Sequence, residues 1–223
     1  MAFAGFPKEG TSWLDGLALA QSREWYQAHK QGYELLWLQP MSALLDELKG
    51  PLQKVYGKQI GKPKIFRLNR DVRFSKDKRP YKTNVAAMLP FEGFGPMEGP
   101  AALYLSLGSE EYYGFGFWFL EAPALQRLRK AILDDKKGAA LEKLMVAVKR
   151  AGMEHSAMET LKRPPPGVAK DHPRVELLKP KGLGLGSDQI PKAVRFSPKL
   201  RDFLLAQAKV AAPVLKWGWA QKL

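Results

Sequence analysis

The densest group of side chains that could do chemistry lies between Lys64 and Asn84, in the stretch KIFRLNRDVRFSKDKRPYKTN. This stretch mixes guanidinium, ammonium, carboxylate and aromatic groups with a proline. Guanidinium and ammonium groups bind phosphates and carboxylates, and arginine does so through a planar fork of donors. We therefore expect a site for an anionic ligand here. Its candidate binding residues are Arg67, Arg70, Arg73, Lys76, Lys78 and Lys82.

Three residues are the candidates for proton transfer. Asp71 and Tyr81 belong to the basic stretch, whereas His172 lies far along the chain, between Asp171 and Pro173. Turn-forming neighbours present a side chain rather than bury it, and an imidazole titrates near neutral pH. The alternative is that His172 is held by hydrogen bonds within its own loop.

The chain lacks the usual catalytic and metal-binding motifs. It contains no cysteine and only 3 histidines, and it has no HExxH or GxSxG pattern. The sequence therefore predicts neither a metal site nor a cofactor. Two alternatives stay open for the expected site, which either binds its ligand or also turns it over.

The residue types from Ile65 to Phe74 predict a strand. Alternation sends Arg70 to the apolar face, where its charge needs an internal carboxylate as a partner. The opposite face carries a polar row with a guanidinium near each end, formed by Arg67, Asn69, Asp71 and Arg73. Turn-forming residues then interrupt the pattern from Ser75 to Pro80, before the apolar run Val85 to Leu89.

The formal net charge of +14 is unevenly distributed along the chain. Residues 61–82 carry nine basic and two acidic side chains, which is half of the net charge. Residues 162–181 add six basic against two acidic side chains, and residues 192–223 add seven against one. Clustered positive charge attracts small anions and polyanions without choosing between them. The charge pattern therefore supports a small anionic ligand and a nucleic acid alike.

Length and composition bound the class of protein. A chain of 223 residues with 45% hydrophobic and 26% charged residues is typical of a globular protein with a sizeable core. The longest runs without a charge are eleven residues, too short to cross a bilayer, which takes about 20 helical residues. The N-terminal MAFAGFPKEG lacks the basic and apolar segments of a signal peptide. We therefore expect a cytoplasmic protein that does not enter a membrane.

The order of predicted elements indicates an α+β fold in a single domain, residues 1–223, with an antiparallel sheet. Ser22 is a predicted N-cap, Pro40 a first-turn residue, and Gly57 a helix end. Ser197 starts a final helix through about Leu215. The regions along the chain are a helical N-terminal part (1–60), the sheet with the basic motif (61–120), helices (121–160), a Pro/Gly-rich basic arm (161–196) and a C-terminal helix (197–223).

Two glycine-rich segments are further candidates for binding. The runs Ala102–Leu107 and Glu111–Leu120 predict a hairpin, and its second strand places Gly114 and Gly116 on one face. Adjacent glycines on a strand leave a groove that a helix or a ligand can enter. The segment KGLGLGS, Lys181 to Ser187, offers backbone N–H groups for a phosphate but lacks the GxxxxGK[ST] spacing.

The chain resembles an uncharacterised family, domain of unknown function 2461, found in bacteria and fungi. The resemblance runs nearly end to end. It rests on SREWYQAHKQGYE with Pro40, on FRLNRDVRFSKDKRPYKTN, on YYGFGFWF, on LQRLRKAI, and on LKRPPPG followed by DHP. It implies a single α+β domain with an antiparallel sheet, and it brings no established activity.

Three functional hypotheses follow, and the sequence favours the first, because the motif mixes acidic, basic and aromatic residues with a proline-containing turn. The first is a small phosphate- or carboxylate-bearing ligand at residues 67–82, with Tyr81 orienting it. The second is nucleic-acid binding through the same basic loop and the 162–181 arm. The third is a non-catalytic partner-binding domain, in which Arg70–Asp71 and Lys76–Asp77 are internal ion pairs. The ligand, the reaction and the oligomeric state are left open.

Overall fold

The N-terminal quarter of the chain folds into a run of helices, as the computed structural model shows; it describes residues 2–73, 76–91 and 101–223. The helices are α1 (Glu9–Ala20), α2 (Arg23–Ala28), α3 (Lys30–Tyr33), a π-helical turn (Glu34–Leu38) and α4 (Gln39–Tyr56). Ser22 caps α2 by accepting the N–H of Trp25, and Gly57 ends α4 in the left-handed region. The predicted cap, the first-turn proline Pro40 and the helix end are confirmed.

The described residues after α4 include six strands of one antiparallel sheet, and they confirm the α+β fold. They are β1 (Lys64–Ile65), β2 (Asn84–Pro90), β3 (Ala102–Gly108), β4 (Tyr112–Phe117), β5 (Glu154–Ser156) and β6 (Leu183–Ser187). Their spatial order is β1-β2-β3-β4-β6-β5. The strand predicted over Ile65–Phe74 is wrong beyond Ile65, and Phe74 and Ser75 lie outside the described residues.

The remaining helices are α5 (Ala122–Leu133), α6 (Asp135–Arg150), α7 (Val175–Leu178), α8 (Lys192–Arg195) and α9 (Lys199–Ala220). The final helix runs past Pro213 to Ala220, beyond the predicted end at Leu215. Packing explains the difference, because Val214, Leu215 and Gly218 are buried in the turns around the proline. No helix among the described residues is long and apolar enough to cross a membrane.

Helices α4 and α9 cover one face of the sheet, which we call the inner face. Phe203 and Trp219 of α9 make edge-on ring contacts with Tyr113 and Phe117 of β4. Tyr56 of α4 donates a hydrogen bond to the carbonyl of Ala208 in α9 over 3.1 Å, which links the two helices. The buried residues of this layer form one continuous core.

The regional division of the sequence needs two corrections. The 161–196 segment is not only an arm, because its residues 183–187 form β6 between β4 and β5. The 121–160 region is not only helical, since it contributes β5. Within KGLGLGS, residues 183–187 form β6, which is buried and paired with β4 and β5, and Lys181 bonds to Glu159 and Leu120 through its backbone. The backbone is therefore already used by the fold, and the suggested phosphate cradle is wrong.

The glycine groove predicted on β4 is occupied by the protein itself. The six-membered ring of Trp118 lies over Gly114 and over Gly184 of β6, so close that an added Cβ at either glycine would collide with it. Gly186 leaves room in the same way for the hydroxyl end of Tyr112. The glycines therefore make room for two rings of the protein itself. These rings, and not a helix or a ligand, fill the predicted groove.

Candidate functional site

The basic motif forms a hairpin that continues strands β1 and β2 beyond the sheet, and we call its described residues, 66–73 and 76–83, the basic hairpin. The N–H groups of Phe66, Lys82 and Arg70 donate to the carbonyls of Ala86, Leu68 and Pro80, each over 2.8 Å. Ile65 pairs with Ala87, whereas Asn69 pairs with Tyr81. Between these two pairs the first arm of the hairpin advances by four residues and the second arm by six. A bulge of two extra residues therefore lies between Tyr81 and Ala87. The bulge explains why the regular strand ends at Ile65.

Two buried side chains anchor the basic hairpin to the body of the protein. Leu68 is 2% exposed and Tyr81 is 4% exposed. The ring of Tyr81 stacks on Tyr26 of α2 at 4.9 Å, and its N–H donates to Oε1 of Gln21 over 3.1 Å. Gln21 has a φ of 43°, a left-handed conformation at the end of α1. Tyr81 thus packs at the base of the hairpin, and its role in proton transfer stays a prediction.

At the tip, Asp77 is an acceptor for two arginines. Its carboxylate lies 3.1 Å from Nη2 of Arg70 and 2.7 Å from Nη2 of Arg79, and it also accepts the backbone N–H of Arg79 over 3.0 Å. The hydrogen bonds from Arg79, with the charge of Arg70, hold the pKa of Asp77 well below its ordinary value. Arg70 therefore finds the carboxylate partner that its position requires.

Asp71 forms the second carboxylate centre of the tip. It accepts Nε and Nη2 of Arg73 over 2.9 and 2.7 Å, together with the backbone N–H of Arg73. These bonds lower the pKa of Asp71. The ion pairs are therefore Arg70–Asp77, Arg79–Asp77 and Arg73–Asp71, and the predicted pairs Arg70–Asp71 and Lys76–Asp77 are wrong. Lys78 donates to the carbonyl of Val72 over 2.8 Å and closes the loop.

Three of the predicted ligand-binding residues take no part in these ion pairs. Arg67 and Lys76 are exposed and Lys82 is half-buried, and none forms an ion pair within the described part of the chain. Residues 67–82 contain seven basic and two acidic side chains, a net charge of +5. Both carboxylates are already engaged by other arginines of the hairpin, so they do not neutralise these three cations through an ion pair.

His172 lies apart from the basic hairpin in the described contacts. Its Nδ1 accepts the backbone N–H of Arg174 over 3.0 Å, a local turn of the kind named as the alternative. The Arg174 side chain then runs to Glu142 of α6 and to the carbonyl of Ile132, over 2.8 and 3.2 Å. No described contact brings His172 to Asp71 or Tyr81, and the described residues contain no group of side chains suited to a metal ion.

One charged pair was missed by sequence reasoning. Arg195 and Glu111 form an ion pair of 2.7 Å beside a cavity of about 210 Å³, which Asp15, Thr83 and Ser109 also line. Burial raises the pKa of Glu111, and the charge of Arg195 opposes the rise. No local pattern signals this pair, because its members are distant in the chain and meet only through the fold.

The comparisons with known proteins agree with the resemblance. Residues 9–217 match the model of the family described as conserved hypothetical protein (DUF2461). No curated protein and no solved structure gave a significant match. The matched residues include α1, the whole basic hairpin and all six strands. The chain therefore belongs to the DUF2461 family of conserved hypothetical proteins.

Proposed function

We propose that this protein binds nucleic acid by contacting the phosphate backbone with the basic hairpin. The observation that carries the proposal is the net charge of +5 on residues 67–82, whose two carboxylates are both bound to arginines of the same hairpin. Phosphate contacts from lysine and arginine supply most of the affinity in sequence-independent binding.

The ion pairs prepare the hairpin for this role. Asp77 joins Arg70 on one arm of the hairpin to Arg79 on the other, and Lys78 ties the loop back to Val72. Cations held in place before binding lose less conformational freedom when a ligand arrives. The two acidic residues thus hold the arginines of the hairpin in place.

The exposure of the tip favours an extended anion over a small one. The side chains of Arg73 and Arg79 are 75% and 56% exposed, and Arg67 and Lys76 are exposed as well. Small ligands bind in concave sites that bury most of their surface. A row of phosphates matches a projecting cationic surface better than a single phosphate does.

The 162–181 arm has no described contact with the hairpin that would extend the surface. Arg174, Lys179 and Lys181 are engaged by Glu142, Glu176 and Glu159. The proposal therefore rests on the hairpin alone.

The test is the salt dependence of binding to a fluorescein-labelled oligothymidylate, followed by anisotropy between about 50 and 200 mM KCl. The variant Arg67→Gln/Lys76→Gln/Lys82→Gln removes the three surplus cations. Each lost contact to a single strand should lower the slope of log K against log salt by about 0.7, so the slope should fall by about 2.

The matched control removes three exposed cations from α6, in Lys143→Gln/Lys149→Gln/Arg150→Gln. Both triple variants have the same net charge, so only the location differs. The control should keep the wild-type slope. Equal losses in the two variants would mean a general effect of net charge and would overturn the proposal, as would a wild-type slope in the hairpin variant.

A second candidate is a small phosphate- or carboxylate-bearing ligand at the base of the hairpin. Two buried donors support it, since Nε of Arg70 and Nε2 of Gln21 have no hydrogen-bond partner within the described structure. Both side chains approach the backbone of Tyr81, at its carbonyl and at its N–H. Phosphate or pyrophosphate should then raise the melting temperature at high salt, and Gln21→Leu should abolish that shift. An unchanged melting temperature would reject this candidate.

A further inference from the structure

The outer face of the sheet, opposite α4 and α9, carries an unusual row of side chains. Lys64 pairs with Met88, Met88 with Tyr104, Tyr104 with Gly114, Gly114 with Gly186, and Gly186 with Glu154, so these residues share one face across all six strands. A sheet face turned away from the core is usually polar in antiparallel sheets. In this protein, aromatic residues and glycines occupy the middle of that face.

Four rings form a continuous group on this outer face, and we call Phe66, Tyr104, Tyr112 and Trp118 the aromatic face. Tyr104 lies at its centre, with ring centroids 6.2 Å from Phe66, 6.2 Å from Tyr112 and 6.4 Å from Trp118. Tyr112 and Trp118 are 5.9 Å apart. All four side chains are partly exposed. A group of neighbouring, partly exposed rings of this kind is a candidate interaction site.

Polar groups on the aromatic face lack partners. The indole N–H of Trp118 and the hydroxyl of Tyr112 are buried and make no hydrogen bond of ordinary geometry among the described residues, although Ser156 lies near Tyr112. Burial raises the pKa of Tyr112 and Tyr104, so both hydroxyls stay protonated and able to donate near neutral pH. The indole N–H and the Tyr112 hydroxyl are themselves buried, so the accessible part of the face is aromatic and suits a partner that is flat and apolar on its faces.

The two ends of the aromatic face carry opposite charges, so an anionic partner would approach from the positive end. Lys64 lies 5.3 Å above the Phe66 ring, and Phe66 itself begins the basic hairpin. The far end carries Glu154 on β5, with Asp188 lining the same cavity of about 570 Å³. Among these described groups, the positive charge lies at the end where the hairpin joins the aromatic face, and the carboxylates lie at the other end. A polyanion held by the hairpin would place its bases over Phe66 and Tyr104 first.

We propose that the aromatic face is a stacking platform for the bases of a single-stranded nucleic acid whose phosphates the basic hairpin holds. This inference rests on the proposed function of the hairpin. Base stacking on aromatic side chains is independent of sequence and needs unpaired bases, whereas phosphate contacts alone do not distinguish single strands from duplexes.

The test compares two oligomers with the same number of phosphates, an oligothymidylate and an abasic strand of equal length. The wild-type protein should bind the thymidylate about fivefold or more tightly, the lower bound for one stacked base. Tyr104→Ala should remove this preference and leave the salt slope unchanged. The hairpin triple variant should lower the salt slope and keep the preference.

Two further variants protect the test against loss of folding. Tyr104→Leu keeps apolar volume on the sheet without an aromatic ring and should behave like Tyr104→Ala. Phe119→Ala removes an aromatic ring that is 40% exposed and lies beyond the end of β4, outside the aromatic face, and it should keep the preference.

The possible failures are distinct. Equal wild-type affinity for the two oligomers, with a steep salt slope, would overturn the stacking platform while the hairpin proposal stands. Absence of binding to either oligomer would overturn both. A preference that survives in Tyr104→Ala and Tyr104→Leu would also overturn the platform.

Discussion

The basic hairpin and strand β6 both contain residues typical of anion sites, and the fold uses them in opposite ways. In the hairpin, charged side chains bind one another at an exposed tip and leave a surplus of cations. In β6, the glycines are buried and hold two aromatic rings of the neighbouring strand. The surroundings of each segment, and not its composition alone, thus decide whether it is free to bind an anion.

The difference has a simple physical origin. Backbone N–H groups can bind a phosphate only when no other acceptor engages them, and β6 lies between two strands that pair with it. The cations of the hairpin belong to long side chains that extend beyond the sheet. Four predictions test this contrast, beginning with the substitution expected to cost the most.

Removal of the Tyr81 ring should cause the largest loss of stability. Tyr81→Ala empties a buried position that stacks on Tyr26, and replacing a buried aromatic residue by alanine costs about 3 kcal/mol. Urea unfolding measures the change. Tyr81→Phe keeps the ring and should match the wild type in stability and in oligonucleotide affinity. Weaker binding by a stable Tyr81→Phe variant would restore a role for the hydroxyl in handling the ligand.

Gly184→Ala should be the next most damaging change. The new Cβ would lie 2.6 Å from Cζ3 of Trp118 and 2.8 Å from the carbonyl oxygen of Ser156, so the ring or the strand must move. Overpacking of this kind costs about 2 kcal/mol. Gly50→Ala in α4 is the control, because nothing lies within 4 Å of its added Cβ. Equal unfolding midpoints for the two variants would show that β6 tolerates side chains.

His155, on β5 next to β6, should make stability depend on pH. Its Nε2 lies 3.1 Å from the carbonyl of Gly182, and burial lowers its pKa in the folded protein. The unfolded chain then binds a proton more readily, so stability should fall as the pH drops below about 6.5, by at most about 1.4 kcal/mol per pH unit. His155→Gln should flatten this part of a urea-unfolding profile. A profile identical to wild type would assign the pH dependence to other groups.

The smallest effect on global stability should come from Asp77→Asn. The change weakens the bonds to Arg70 and Arg79 at the exposed tip, so amide exchange at Arg70 and Lys82 should quicken while the unfolding midpoint stays the same. Asp46→Asn, which affects only the surface pair with Lys49, is the control. Unchanged exchange in Asp77→Asn would mean that Leu68 and Tyr81 order the hairpin without help from the ion pairs.

The sign of the Asp77 effect with pH follows from its lowered pKa. The carboxylate is favoured in the folded protein, so its contribution is complete above the unfolded pKa of about 3.9 and is lost as the pH falls toward the lower folded value. The order of the hairpin tip should therefore be constant from pH 5 to pH 8, the range in which His155 titrates in the unfolded chain. Hydrogen exchange at the tip, compared at pH 5 and pH 8, should show no loss of order through Asp77. The stability of the whole protein should change over the same range through His155.

Sequence patterns identified two helix boundaries and the basic motif because these depend on local features, whereas the end of α9 depends on packing around Pro213. The cap at Ser22 and the end at Gly57 need only their neighbours. The end of the regular strand at Ile65 could not be predicted, because it depends on a bulge and on the burial of Tyr81 against α2. The aromatic face also required the fold, since Phe66 and Tyr104 meet only when β1, β2 and β3 pair.

The strand order has a consequence for synthesis of the chain. Strands β2, β3 and β4 pair with their neighbours in sequence, but β4 receives its second partner from β6, and 65 residues separate the two. Until that distant segment leaves the ribosome, the apolar strand β4 presents a bare edge of N–H and C=O groups. Such edges recruit other chains. Nascent chains that end before residue 183 should therefore depend on chaperones, and they should aggregate more readily than chains released after it.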